Sequence, residues 1–435
     1  MVARKPSDAL LVCVALAAVA ALATLGERAF PWAIVLVAAV PWYPLVSYQA
    51  EGPAVRQEVL CAAIAAAPLL PWLWSLAVGG RRAPRPSRLS LLMGLLFAGL
   101  AALMFETLGS ISEVIGESQE IGFLAGGVTF LCARRFASDR QWPAAAFGGL
   151  VALALLGAAA YLKAPSNRIG YFTGYPITYG ALLVGLLPAA LLFAYRRSRL
   201  LAGAVAGVSG ALLIFSESRS SWVAVAVVLV VLVALQARAG NMRGLIALAS
   251  AVAVLAALVL STESLHHIVQ QRLSSQIATS QSVTHREWSY GYALHAIRER
   301  PVFGAGAPGY SSQEAASQTG IGAIDNGYLS ISVDLGLVGL FAALIPIGIG
   351  LRVLWRCLLL GLTPRYELAL ALGILGMAVV TAFYDSFYWP QIDLLLGAMG
   401  GVLSTRVAGL NAQAGVFARE RRSRQRAGWA GGSSV

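Results

Sequence analysis

The chain of 435 residues is 58% hydrophobic and only 12% charged, with a formal net charge of +12 at neutral pH. Soluble domains carry about 25% charged residues, so a chain this apolar lacks the polar surface to fold in water. Its positive charges fall in short runs between apolar segments, the pattern of cytoplasmic membrane loops, which argues against a basic nucleic-acid groove; no nucleic-acid partner is expected.

A bilayer core about 30 Å thick needs about 20 apolar residues of helix, and about thirteen runs meet or approach that length. Their approximate cores are 8–26, 29–48, 59–79, 89–109, 118–135, 143–162, 177–195, 200–216, 222–237, 243–261, 326–351, 367–386 and 391–404. The expected fold is an all-α polytopic membrane protein with about 12–13 transmembrane helices and one large periplasmic loop domain. The first run reads as a membrane helix and not a cleaved signal, because further apolar runs follow at once without a clean small-residue cleavage site. Residues 1–261 then form N-terminal transmembrane helices, 262–325 the loop domain, 326–404 C-terminal transmembrane helices and 405–435 a basic cytoplasmic tail.

Arginines set the orientation. Arg134, Arg135 and Arg140, then Arg196, Arg197 and Arg199, then Arg238 and Arg243, then Arg352, Arg356 and Arg365 fall on alternate loops and so share the cytoplasmic side. Strict alternation puts the N-terminus outside, whereas Arg4 and Lys5 argue for inside. The loop 262–325 lies opposite, in the periplasm, and holds all four histidines: His266, His267, His285 and His295. Trp288, Tyr292 and His295 recur there at helical spacing before Pro301, and a turn-rich stretch, Phe303 to Tyr310, follows. The spacing predicts a small, partly helical domain over the membrane helices, with His295 packed inside it. The cysteines Cys13, Cys61, Cys132 and Cys357 sit in or beside apolar runs, so neither a disulfide framework nor a zinc site is expected.

Arg168, Arg219 and Arg286 all fall on loops assigned to the periplasm, against the positive-inside bias. Arg219 lies in Ser216-Glu217-Ser218-Arg219-Ser220-Ser221, a short link between two apolar helices at the membrane surface. A charge there is costly unless used, and a guanidinium fork suits phosphate oxygens. The plainer alternative is that Arg219 pairs with Glu217 or snorkels to headgroups. At Ile324-Asp325-Asn326-Gly327-Tyr328 the loop re-enters the membrane, where a partly desolvated carboxylate makes a general base. Here the alternative is a simple helix cap by Asp or Asn. His285 adjoins Arg286 and is a candidate phosphate contact, and Asp385 belongs either to the same face or to an interfacial aromatic belt.

The spacing Asp325-Asn326, nine residues, then Gly336-Leu337-Val338-Gly339 resembles the signature of the O-antigen ligase and polymerase superfamily. Arg286 with Trp288, leading to Arg300-Pro301-Val302-Phe303-Gly304-Ala305-Gly306, is similar to the family's Arg–Trp–Pro–GxG stretch. Ser218-Arg219-Ser220 resembles its Ser-Arg turn, and Arg168-Ile169-Gly170-Tyr171-Phe172 with Tyr175-Pro176 and Gly180 resembles the loop-to-helix element before it. The resemblance covers roughly residues 160–350. It implies a GT-C-like membrane glycosyltransferase of the bacterial inner membrane, with its active site facing the periplasm. Such an enzyme transfers an undecaprenyl-pyrophosphate-linked glycan to an acceptor sugar, without cofactor or metal and with inversion. Arg168, Arg219, Arg286, His285, Asn326 and Tyr328 would bind donor and glycan; Arg219 and Arg286 would also stabilise the leaving pyrophosphate, and Asp325 would be the base. The ligases place His where this chain has Asp325, and relatives with Asp-Asn look like repeat-unit polymerases, so the reading is a polymerase. The alternatives are an O-antigen ligase with lipid A–core as acceptor and, from another class, a transporter or flippase. Two related halves with matching broken helices, common in transporters, are not found. A chain-length regulator is a possible partner of the polymerase.

Overall fold

The computed structural model describes residues 30–39, 120–136, 141–163, 169–170, 175–261, 281–305, 324–360 and 365–407, with a few positions around 92–100 and 263–270. The spans expected at 8–26 and 59–79, most of 89–109, and the tail after 407 lie outside the described residues. The described residues are 89% helical, with no strand among them. Helix α1 is Phe30–Ala39, α2 Glu120–Phe136, α3 Trp142–Lys163, α4 Pro176–Arg197, α5 Arg199–Phe215, α6 Arg219–Arg238 and α7 Met242–Ser261. Then come α8 (Gln281–Glu299), α9 (Gly327–Leu360), α10 (Arg365–Thr381), a 3-10 turn at Ser386–Tyr388 and α11 over 390–407. Among the described residues, four helices are long and apolar enough to cross a membrane: α3 (as Trp142–Leu162), α4, α6 and α9. Shorter apolar helices, including Arg199–Phe215 and Tyr366–Thr381, accompany them, and the chain is an all-α polytopic membrane protein.

Local chemistry sets where the helices begin. Pro176 opens α4, where its missing N–H costs nothing. Ser198 ends α4 and caps α5 by accepting from the Leu201 amide at 3.0 Å. Burial then ranks the helices. In α4 67% of the apolar window is buried, against 22% in α6. Thus α4 is a central pillar, packed by α3, α5 and α10, while α6 turns valines such as Val223, Val230 and Val233 outward to lipid.

A second packing unit joins α2 to α11. Small residues let the two backbones approach: a Cβ on Gly126 would meet the Asp393 carbonyl at 2.7 Å, and one on Gly397 would meet the Gly126 carbonyl at 2.1 Å. At the far end of the same seam Arg134 donates to the Ser404 hydroxyl.

Helix α9 departs from the expected uninterrupted span. It breaks at Gly336, whose φ of 65° and ψ of −165° belong to a region open essentially to glycine alone. An intact helix would bond the Leu337 amide to the Val333 carbonyl. Instead Leu337 donates to Pro301 O at 2.8 Å, Val338 to Val302 O at 3.2 Å, and Val333 O accepts from Ala305 at 2.8 Å. The turn-rich segment after α8 therefore plugs into the break and satisfies its backbone groups, about 13 Å along α9 from its start. Gly304 completes the fit, since a Cβ there would lie 2.5 Å from the Asp334 carbonyl. Docking of α8 over the mouth of α9 follows, sealed by Ala293, Ile324 and Val333.

Candidate active site

At the mouth of α9, Asn326 is the cap. Its Oδ1 accepts from the amides of Tyr328 (3.0 Å) and Leu329 (3.2 Å), while its Nδ2 donates to the Ala382 carbonyl at 3.1 Å. That frees Asp325 from capping. Its Oδ2 instead accepts from Arg286 Nε at 3.3 Å, an ion pair spanning 39 residues of sequence. Both side chains are about one-third exposed or less, 34% and 26%, so the pair is partly desolvated yet reachable. One helical turn after Arg286, Tyr290 donates to the Asp325 carbonyl at 3.2 Å and fixes the backbone.

The face of α8 that meets the membrane helices runs through Arg286, Ser289, Ala293 and Ile297. This corrects the expected face. Trp288 is 62% exposed, and His295 does not pack inside but lies on the outer surface, paired with Glu299 at 3.2 Å. Tyr292 of the same stripe is partly buried and packs against the cluster of Ala293, Ile324 and Val333, so only Trp288 and His295 are left on the outer side of α8. His285 precedes Arg286 in α8.

The Ser-Arg turn stands at the same end of the bundle. Ser218 caps α6, with its Oγ 2.7 Å from Ser221 Oγ and accepting from the Ser221 amide, and Ser216 Oγ accepts from the Ser218 amide. Glu217, at φ 52°, takes the left-handed turn that lets α5 fold back into α6. Arg219 is the first residue of α6 and is exposed. Gly180 permits α4 to close on this turn, as a Cβ there would sit 2.2 Å from Ser221 Oγ. Arg168 lies outside the described residues; the next residue, Ile169, donates its amide to Phe215 O at 3.3 Å, beside the turn.

The link between α10 and α11 closes the circle. The span expected over 367–386 ends earlier, at Thr381, because residues 382–385 bond sideways to the mouth of α9. Tyr384 O accepts from the Gly327 amide at 3.1 Å, and Asp385 Oδ2 accepts from Ser330 Oγ at 2.8 Å. The Tyr384 hydroxyl accepts from Trp389 Nε1 and lies 3.5 Å from Thr178 Oγ1 of α4. Burial pushes the Tyr384 phenol well above the ordinary tyrosine value, so it stays neutral at any working pH. Tyr328 donates to the Ala378 carbonyl at 2.8 Å and meets Phe387 edge-on, which makes it a brace between α9 and α10.

Contacts thus run without a gap from Arg286 and Asp325 through Asn326, Gly327, Tyr384, Thr178 and Gly180 to Ser218 and Arg219. Among the described residues, two buried acids escaped the reading of the sequence: Asp334, beside the Gly336 break, and Asp393, whose Oδ2 has no hydrogen-bond partner among them. The signal for both was a lone carboxylate inside an apolar run.

A family model described as O-antigen ligase matches residues 204–344, the segment that contains the Ser-Arg turn, Arg286, Asp325 and the Gly336 break. No curated protein matches the chain.

Proposed function

We propose that this chain, which belongs to the O-antigen ligase and polymerase superfamily, joins glycans by transfer from an undecaprenyl-pyrophosphate donor, extending a surface polysaccharide by repeat units. By the positive-inside rule the arginine-rich helix ends face the cytoplasm and the α9 mouth faces the periplasm. The observation that carries the reading is the Arg286–Asp325 pair, a cation and a carboxylate set together at a membrane mouth.

In this scheme Asp325 accepts the proton of the acceptor hydroxyl as that oxygen bonds to the donor's anomeric carbon. The bond from that carbon to the phosphate oxygen breaks on the opposite face, and undecaprenyl pyrophosphate leaves with the electron pair. Attack from behind inverts the configuration. Arg286 is bound to Asp325 at rest and has a planar fork that a pyrophosphate can engage as negative charge grows on it. Arg219, at the N-terminus of α6, adds a second guanidinium where the helix dipole already favours an anion. Charge is then sorted: arginines to the phosphates, the carboxylate to the hydroxyl. Asn326 and Tyr328 hold the α9 mouth in place.

The description of the matching family model favours a second reading, a ligase with lipid A–core as acceptor. A transfer assay separates the two: purified protein is given a lipid-linked repeat unit with and without lipid A–core, and products are resolved by size. A ladder of lengthening lipid-linked chains without lipid A–core is the expected result. Product only when lipid A–core is added makes the chain a ligase, and no product under either condition overturns glycan transfer.

A further inference from the structure

Beside the Arg286–Asp325 pair, the same end of the bundle carries an aromatic shelf that the transfer chemistry leaves unused. Tyr175, the residue before α4, stacks on Tyr384 with ring centroids 5.8 Å apart and planes 12° from parallel. Tyr175 keeps 38% of its surface exposed, and Phe383 next to the stack keeps 40%. The lower ring is fixed from beneath by Trp389 and Thr178. Next to it Asp385 is half-buried, its carboxylate aimed by Ser330. Two bonds, from Asn326 to the Ala382 carbonyl and from Gly327 to the Tyr384 carbonyl, tie this shelf to the residues that directly follow Asp325.

We propose that the shelf is a glycan subsite: one sugar ring of the acceptor lies on Tyr175, and Asp385 takes hydrogen bonds from its hydroxyls. A pyranose presents a flat face of C–H groups and a rim of hydroxyls, so it needs an apolar plane flanked by a strong acceptor. Tyrosine offers such a plane with little side-chain freedom to lose. Hydroxyl-to-carboxylate bonds are the short, strong kind. Both groups are held before any ligand arrives, which lowers the ordering cost of binding.

Electrostatics separate this subsite from the donor's. A carboxylate repels pyrophosphate, so the shelf takes the uncharged sugar while Arg219 and Arg286 take the anion. An interfacial aromatic belt accounts for it less well. Belt residues point their polar tips to the headgroups, whereas the Tyr384 hydroxyl is bonded inside the protein. Naming the glycan as acceptor rests on the transfer reading above; the binding itself does not.

The test is equilibrium binding by the full chain in lipid nanodiscs. Its probe is the single repeat-unit oligosaccharide released from the host's own surface polysaccharide, without lipid or pyrophosphate. Tyr175→Ala weakens binding about tenfold, the scale of one aromatic stacking contact. Tyr175→Phe, which keeps the ring, stays within about twofold of the parent chain, as stacking requires. Asp385→Asn weakens binding about tenfold or more through loss of the charged acceptor. Unchanged affinity in Tyr175→Ala overturns the subsite, and so does an equal loss in Tyr175→Phe. A parent chain that binds the oligosaccharide but shows no transfer keeps the subsite and removes the transfer reading; one that transfers but does not bind the free oligosaccharide does the reverse.

Discussion

Along α2 and α11 the chain brings Gly397 so near Gly126 that an added methyl would lie 2.1 Å from a carbonyl oxygen, and at Gly336 the approach to Val302 O, 2.3 Å, is almost as close. The two seams resemble each other in distance and differ in backbone. The first joins helices whose hydrogen bonds stay internal, so glycine there serves only to let the surfaces meet. At the second, Gly304 and Gly336 both have positive φ, 69° and 65°, and amides and carbonyls are exchanged between α9 and the segment after α8. Close packing in a membrane can therefore serve stability alone, or it can fasten an extramembrane element over a site. The second seam lies beside the docking of α8 that brings Arg286 to Asp325.

Substitutions at the two seams test that distinction. Of the seam substitutions Gly336→Ala has the largest expected effect: it forces a side chain into a glycine-only region at a cost of about 1–3 kcal/mol and displaces α8. Even a shift of about 1 Å at the site lowers transfer about 100-fold, while circular dichroism reports unchanged helix content. Gly397→Ala overpacks α2 against α11 by about 1–3 kcal/mol, which lowers the thermal midpoint but leaves transfer per folded molecule near that of the parent. Folded Gly397→Ala without transfer activity would erase the difference between the seams. Asn326→Ala is the mildest. Loss of the α9 cap costs about 1 kcal/mol in stability, measured by thermal unfolding, and loosens the mouth without detaching α8.

Much of the fold was legible because a bilayer leaves few options. Apolar runs of span length became α3, α4, α6 and the start of α9 within a few residues, since backbone groups in lipid can be satisfied only within helices or by other protein. What hydropathy could not register was the break at Gly336, since the run from Gly327 is apolar on both sides of it. The candidate site was legible where charges broke a membrane rule: of Arg219, Arg286 and Asp325, the structure pairs the last two. Periodicity in α8 misled for a physical reason. The inward side is set by Arg286 reaching Asp325 and by Ala293 and Tyr292 packing with Ile324 and Val333, whereas Trp288 and His295 are left outside. Nor could sequence choose between Asp325 and Asn326 as the cap, because either residue type caps well. Likewise, the stack of Tyr175 on Tyr384 joins residues 209 positions apart in the chain, and no local pattern records it.

The most direct test of the Arg286–Asp325 pair as the reaction centre is a double-mutant cycle on kcat/KM in the reconstituted transfer assay. Arg286→Ala and Asp325→Asn are compared with the double variant, each confirmed folded. If the two residues act as one unit, each single change lowers transfer about 100- to 1,000-fold, and the double variant is little worse than the poorer single. Parental activity in either folded single variant would contradict the account.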